Sequence, residues 1–381
     1  MICDVYASPE HQAFRETVRK FTEEEMRPRA REFDRAGRVD KALFKTMGDL
    51  GMLGLRYEPE YGGSGLDWSF SAVMHEELGR SDNAGATLAI SVHTEMATPS
   101  LARFGSDALK QQYLAPAIAG ETVSAIAVTE PEAGSDVAGI KTRAVRDGDD
   151  WVINGSKIYI TNAANADWLC LLAVNDPDAG YGGFSQIIVP TDLPGVRYDL
   201  LDKIGLWGSD TGQFFFEGVR VPLANTIGEV GRGFQQQMMQ FQDERLVACI
   251  STLSSMELLW EETKKWCEER ILFGKPLSKM QNTQFKMTDL WIQMQAAREL
   301  NLSAVRQLVA GKDATTLITA AKVFSLNVAM RVANECLQLN GGHGLMKESM
   351  AGRAFVDTRV GPIGGGSDET MLAYLAKQLG F

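Results

Sequence analysis

The sequence predicts a multi-domain α+β protein: a helical segment, a compact β segment and a helical bundle, in that order. Three stretches of different texture predict it. Helix-spaced apolar residues run to about Gly120, short β-type runs replace them from about Thr122, and long helical stretches return after Gly233. With 381 residues, 45% of them hydrophobic, the chain can bury a large core in two or three units. The expected boundaries are 1–121, 122–230 and 231–381.

The first helix begins where Ser8 can cap it, with Pro9 at the first helical position and Phe14, Val18 and Phe21 on one face. The glycine-rich stretch 59–65 marks a loop between helices. Five β-type runs follow, at 123–128, 151–160, 168–174, 184–189 and 213–221. Asp147-Gly-Asp-Asp150 lies between the first two as a turn, and Pro190, Pro194 and Pro222 punctuate the end of the region. No βαβ alternation is visible, which argues against a doubly wound nucleotide fold. The last part carries three helical patterns: Met239, Leu246, Ile250, Leu253 and Trp260; Met287, Trp291 and Met294; Leu317, Ala321, Phe324 and Val328. Short polar breaks such as Ala310-Gly-Lys-Asp313 suit an antiparallel bundle.

A net charge of −11, from 38 basic and 49 acidic residues, argues against non-specific binding to nucleic acid or an anionic membrane, while leaving room for a local basic site. No apolar run approaches the roughly 18 residues of a membrane helix. The start, Met1-Ile-Cys-Asp4, lacks the regions of a secretory signal, and the Arg-rich stretch 27–38 is too acidic and too internal for a transit peptide. Cys3, Cys170, Cys249, Cys267 and Cys336 are odd in number and show no C-x-x-C spacing, which fits a reducing cytoplasm. His11, His75, His93 and His343 form no metal-ligand pattern, so capping or surface roles are expected for them. No G-x-S-x-G elbow suggests a hydrolase.

Four strings carry chemistry: Ile126-Ala-Val-Thr-Glu-Pro-Glu-Ala-Gly-Ser-Asp136 with Ile158-Tyr-Ile-Thr-Asn162, Arg270-Ile-Leu-Phe-Gly-Lys275 with Gln281, Gln338-Leu-Asn-Gly-Gly342, and Gly361-Pro-Ile-Gly-Gly-Gly-Ser-Asp-Glu369. Gly341-Gly-His-Gly344 is not G-x-G-x-x-G and follows no strand, so a dinucleotide fingerprint is rejected. Together the strings resemble the acyl-CoA dehydrogenase family over essentially the whole chain. The resemblance implies a helical domain, a β-barrel domain and a C-terminal four-helix bundle, with FAD as cofactor. It places Ile126, Val128, Thr129, Tyr159, Ile160 and Thr161 on the flavin, and Ser135 on FAD phosphate or the CoA part. Many relatives carry Trp where Tyr159 stands. Arg270, Phe273, Gln281, Gln338, Leu339, Gly341 and Gly342 are then contacts to the FAD of a neighbouring subunit, and Ser367 and Glu369 touch FAD from the terminal motif. The bland readings are a turn at 131–135, a glycine C-cap at 341 and a helix-dipole partner at Arg270.

In many members of that family the proton-abstracting base is the Glu of Tyr-Glu-Gly-Thr, and here Gly365 occupies its position. Long-chain, citronellyl-type and isovaleryl members instead place a Glu before an Arg on the helix after the β-domain, which matches Glu244-Arg245. A charged helix residue is usually solvated surface. Its apolar flanks, 238–241 and 246–249, and the missing acid at 365 reverse that reading.

The expected reaction is α,β-dehydrogenation of an acyl-CoA to a trans-2-enoyl-CoA, Glu244 removing the α-proton while a β-hydride passes to flavin N5. Arg245 would orient the base or meet the CoA portion. The backbone N–H of Gly365 and a flavin ribityl hydroxyl would polarise the thioester carbonyl. An electron-transferring flavoprotein as acceptor and a homotetramer built as a dimer of dimers complete the expectation. Without a side chain at Gly365, a branched or bulky acyl group is a mild preference, and chain length is not readable. The rival readings are a flavoprotein oxidase or nitroalkane-type enzyme, a dehydrogenase of carrier-protein thioesters, and a non-catalytic flavoprotein scaffold.

Overall fold

The computed structural model describes residues 5–381, so the reading of Met1-Ile-Cys-Asp4 lies outside the described residues. The first helix, α1 (Pro9–Phe21), starts where Ser8 Oγ accepts the His11 N–H, and it buries Val18 and Phe21. It is followed by α2 (Ala30–Ala36), α3 (Lys41–Asp49), α4 (Trp68–Leu78), α5 (Ala84–Ser91), α6 (Thr98–Phe104) and the short α7 (Asp107–Leu109) and α8 (Ala115–Ile118). Phe33, Leu43, Phe44, Met47, Met74 and Leu78 join Val18 and Phe21 in one core.

The middle part is a mixed sheet of β1 (Ser124–Ala127), β2 (Arg143–Asp147), β3 (Asp150–Thr161), β4 (Trp168–Val174), β5 (Phe184–Pro190), β6 (Val196–Leu200), β7 (Thr211–Pro222) and β8 (Thr226–Ile227). The ladder runs β6-β7-β3-β2-β4-β5-β8, with β1 added in parallel to β4. It curls about a core that includes Ala144, Ile153, Leu171, Ile187, Phe214 and Val219. The sheet is therefore barrel-like, and no pairing joins β6 to β8 among the described residues. The turn at 147–150 closes the β2–β3 hairpin, with Gly148 at φ +65°. Neither β2 nor β6 is visible as a β-type run in the sequence. Only Ala144 of β2 is buried and no residue of β6 is, so neither strand shows apolar alternation.

The bundle comprises α9 (Gly233–Glu269), α10 (Gln281–Val309), α11 (Thr315–Asn340), α12 (Met350–Asp357) and α13 (Asp368–Gln378). A small hairpin, β9 (Ile271–Leu272) with β10 (Lys275–Pro276), separates α9 from α10. Leu253, Met256, Leu290, Met294, Val328 and Val332 fill its core.

Three sequence expectations are corrected here. Met239, Trp291 and Phe324, read as buried-face positions, are exposed, because helix spacing reports an apolar face without saying which faces find neighbours. One stretch, Thr315–Leu345, does have the length and composition of a membrane span; its most apolar window is 56% buried in the protein, as a core helix would be. His75 and His93 are not surface or capping residues but fully buried. His93 Nδ1 accepts the Ser124 N–H at 3.1 Å and Nε2 meets the Ala117 carbonyl at 3.0 Å, tying the helical part to β1. Burial pushes this imidazole down to about 4, so it is neutral.

Candidate active site

Helix α9 runs from the β-domain into the bundle without a break, and Glu244 sits half-buried on it. Burial pushes its carboxyl up to about 6, against the pull of neighbouring Arg245. The loop before α13 brings Gly365 to the same point. A Cβ on Gly365 would stand 3.4 Å from Glu244 Oε1 and 3.7 Å from Arg245 Cγ. The two alternative base positions thus face each other across van der Waals contact. Arg245 is buried and donates from Nε to the Gly365 carbonyl at 2.8 Å. The guanidinium holds the glycine loop, a task outside both roles expected for it. Asp243, next in sequence, is engaged elsewhere: its carboxylate pairs with Arg103 and, at 3.5 Å, with Arg56. Arg56 in turn pairs with Glu95 and lies 3.9 Å above the Trp68 ring. Between the two adjacent acids, only Glu244 is left to meet a substrate.

The end of β1 and the middle of β3 form the second half of the site. The Ile158 N–H donates to the Thr129 carbonyl at 2.9 Å. The register of β3 against β7 shifts between Lys157 and Ile160, and within that irregularity Tyr159 has φ +62°. Its ring is 67% exposed. A non-glycine residue held at positive φ is uncommon and marks a place where neighbours over-determine the backbone. Val128 and Ile160 are buried, while Ile126, Thr129 and Thr161 are half-buried around the same strand ends. Ser135 is exposed on the loop that leaves them. Ile126, Val128 and Ala133 share an apolar cluster with Phe241, one turn before Glu244, so the base helix packs directly on these strand ends. An exposed flat ring beside strand ends, against which the helix carrying Glu244 packs, fits a flavin and an acyl thioester.

The residues expected to meet a neighbouring subunit's FAD gather at the opposite end of the bundle. Arg270 closes α9, Phe273 projects from the hairpin at 90% exposure, and Gln281 opens α10. Gln338 and Leu339 end α11, and Gly341 is its C-cap at φ +60°. Trp266 joins the two groups, donating to the Leu339 carbonyl at 3.2 Å and stacking on His343. The helix from Glu244 to Arg270 spans about 39 Å at 1.5 Å per residue, so this patch does not reach the chain's own site. Ser367 caps α13 by accepting the Thr370 N–H, and Glu369 is exposed on its first turn, both next to Gly365.

Comparison with known proteins decides the family. The N-terminal, middle and C-terminal domains of acyl-CoA dehydrogenase match residues 8–121, 125–219 and 231–380. The chain belongs to the acyl-CoA dehydrogenase family. The long-chain specific acyl-CoA dehydrogenase of Sus scrofa mitochondria is 36% identical, over 98% of this chain and 87% of that protein. The acyl-CoA dehydrogenase structure from Geobacillus kaustophilus superposes with a TM-score of 0.95 at 35% identity, covering 99% of each chain. A glutaryl-CoA dehydrogenase from Mycobacterium smegmatis, solved in complex with FADH2, superposes at 0.93 with 27% identity, covering 100% of this chain and 96% of that one. FAD is the cofactor of this acyl-CoA dehydrogenase, and the surroundings of Tyr159 fit it.

Sequence reasoning missed the ion pair beneath the flavin-edge segments. Lys157 is fully buried and donates to the Val128 carbonyl at 2.7 Å and to Glu130 Oε1 at 2.8 Å. Glu130 also accepts the N–H groups of Lys141 and Thr142, at 2.6 and 2.9 Å. The signal was a lysine inside a run read as a β-strand, where a charge is out of place unless it is paired. Lys322, inside the most apolar helix of the bundle, gave the same signal.

Proposed function

We propose that Glu244 removes the α-proton of an acyl-CoA thioester whose carbonyl is polarised by the Gly365 N–H. The observation that carries this reading is the 3.4 Å approach of Glu244 Oε1 to the point where a side chain on Gly365 would begin. A carboxylate reaching that point meets the same α-carbon from either position. Bound FAD supplies the hydride acceptor. Arg245 keeps the Gly365 loop at the base, and Phe241 with Val128 and Ala133 excludes water beside the reacting carbons. A groove of about 580 Å³ lies on the β-domain, lined by Ile140, Lys141, Arg143, Tyr181 and Phe184. Ile140 and Phe184 belong to the same apolar cluster as Phe241. We place the nucleotide end of CoA there, between two cations and an aromatic ring.

The test is an anaerobic titration with acyl-CoA esters of varied length and branching, following flavin absorbance. The open face at Gly365 favours branched esters, and the likeness to a long-chain enzyme adds long straight ones to the first set. Bleaching by an acyl-CoA supports the reading. Bleaching only by carrier-protein thioesters, or by none, overturns it. Rapid oxygen consumption without an added acceptor would replace the electron-transferring flavoprotein we expect as partner with molecular oxygen.

The state of Glu244 sets the acid limb of activity. The base works deprotonated, so kcat/KM of the free enzyme should rise as pH passes upward through about 6 and level off above it. A limb near 4.5 would show that the carboxyl is not the desolvated one described here. The raised value also means that ionising Glu244 costs the fold stability as pH rises from 4.5 through 6.

The far patch motivates a second expectation. Arg270, Gln281 and 338–342 lie too far to serve their own site, while Phe273, Leu345 and Met346 expose apolar surface beside them. We read this as a face for a second subunit and its FAD, within a tetramer built as a dimer of dimers. Sedimentation should show the assembly, and Phe273→Asp should weaken both assembly and FAD retention. A monomer with full FAD occupancy would disprove it. We place the protein in the cytoplasm; the four described cysteines are free and buried, as suits a reducing compartment.

A further inference from the structure

The loop that presents the Gly365 N–H is held over its first half by turn bonds from the N–H groups of Gly361, Ile363 and Gly364 to the Thr358 and Val360 carbonyls. Gly365 and Gly366 donate to no backbone carbonyl among the described residues. Four of the seven residues 361–367 are glycine, and Gly365 and Gly366 lie at φ +65° and +97°. Glycine has the largest conformational freedom of any residue, so such a loop needs restraint from outside. One restraint is Arg245, from α9, on the Gly365 carbonyl. A second stands just past the other end of the loop. Lys322, on α11 and only 1% exposed, donates from Nζ to Asp368 Oδ1 at 3.0 Å, and Asn327 Nδ2 reaches Asp368 Oδ2 at 2.6 Å. Asp368 is the first residue of α13, one residue after Ser367 caps that helix. Its own N–H returns to the Pro362 carbonyl at 3.0 Å, closing the loop on itself. The burial of an ammonium needs a partner and a reason, and here its carboxylate partner stands at the end of the glycine loop.

We infer that Lys322 is a positioning residue for the reaction: through Asp368 it fixes the end of the 361–367 loop so that the Gly365 N–H points at the thioester carbonyl. The inference rests on the reading of Gly365 given above. An N–H displaced by an ångström loses most of its stabilisation of a developing enolate, because the donor must be placed before the charge appears. Gly365 has no side chain to pack, and two cations from two other helices hold the loop instead.

Lys322→Met removes the buried charge and leaves Asp368 partly exposed and still bonded to Asn327, so the protein should fold and hold FAD. In the FAD-loaded protein, amide hydrogen exchange of residues 363–368 should quicken about tenfold, with little change elsewhere. The red shift of bound para-dimethylaminocinnamoyl-CoA, whose absorption band follows polarisation of its carbonyl, should shrink. The turnover rate should fall about ten- to a hundredfold while KM changes little. Gly364→Ala, at a position where a Cβ meets only Val360 at 3.5 Å, should stiffen the loop and restore part of the red shift in the Lys322→Met background. Unchanged exchange overturns the clamp whatever the substrate. Faster exchange with an unmoved band overturns its link to catalysis. No red shift even in the parent overturns the assignment of Gly365 itself, and the inference with it.

Discussion

Replacing Glu244 by glutamine should lower the rate of flavin reduction by about 10² to 10⁴-fold, with FAD content and thioester binding retained. The amide keeps the shape of the carboxyl and removes the proton acceptor. Folding should not suffer, because the carboxyl is raised to about 6 by burial and its ionised form is the unfavourable one in the folded protein. The variant should therefore be at least as stable as the parent at pH 8. Asp243 cannot stand in, since Arg103 and Arg56 already hold its carboxylate. A glutamate at 365 can. Gly365→Glu in the Glu244→Gln background begins its side chain 3.4 Å from the old carboxyl position, and it should recover about tenfold with a shift away from branched esters. Recovery stays partial because Gly365 lies at φ +65°, where a residue with a Cβ costs roughly 1–2 kcal/mol. Flavin reduction by Glu244→Gln at the parent rate with the best ester found would remove Glu244 from the mechanism.

What could be read beforehand follows from which signals are local. The strands β1, β3, β4, β5 and β7 were legible because each buries several apolar residues; β2 and β6 were not, being polar or exposed along almost their whole length. Glu244 was legible through its apolar flanks and the missing acid at 365. The task of Arg245 was not, because its partner is a backbone carbonyl 120 residues downstream. His75 and His93 were misjudged for the same reason: His93 is buried by β1 and α8, which no pattern around position 93 reports. Arg270 and Gln338 were each recognisable within their strings. Their meeting at one end of the bundle, through Trp266, exists only in the folded chain.

The largest stability effect should come from the pair beneath the flavin edge. Glu130→Gln leaves the fully buried Lys157 ammonium without a countercharge, and sets an amide where two backbone N–H groups donate to two oxygens. Breaking one side of a buried pair typically costs about 3–5 kcal/mol. The damage should concentrate in the 128–142 segment and its bond to the Ile158 N–H, so FAD should be released at lower urea than in the parent, ahead of loss of the helical signal. Lys157→Met should cost less, because Glu130 keeps its two N–H donors, and the double variant should cost less than the sum of the singles. The pH dependence has a definite sign. Burial already pulls Lys157 down to about 8, and Glu130 is the group that holds it up. Without Glu130 it falls further, and a lysine depressed in the folded state gives stability that rises with pH, since the unfolded chain then binds the extra proton. The deficit of Glu130→Gln relative to the parent should accordingly be larger at pH 6 than at pH 9. Midpoints of FAD release, measured by flavin fluorescence at both pH values, decide it: an equal deficit at the two, or none, would mean that this pair is not what holds the flavin edge together.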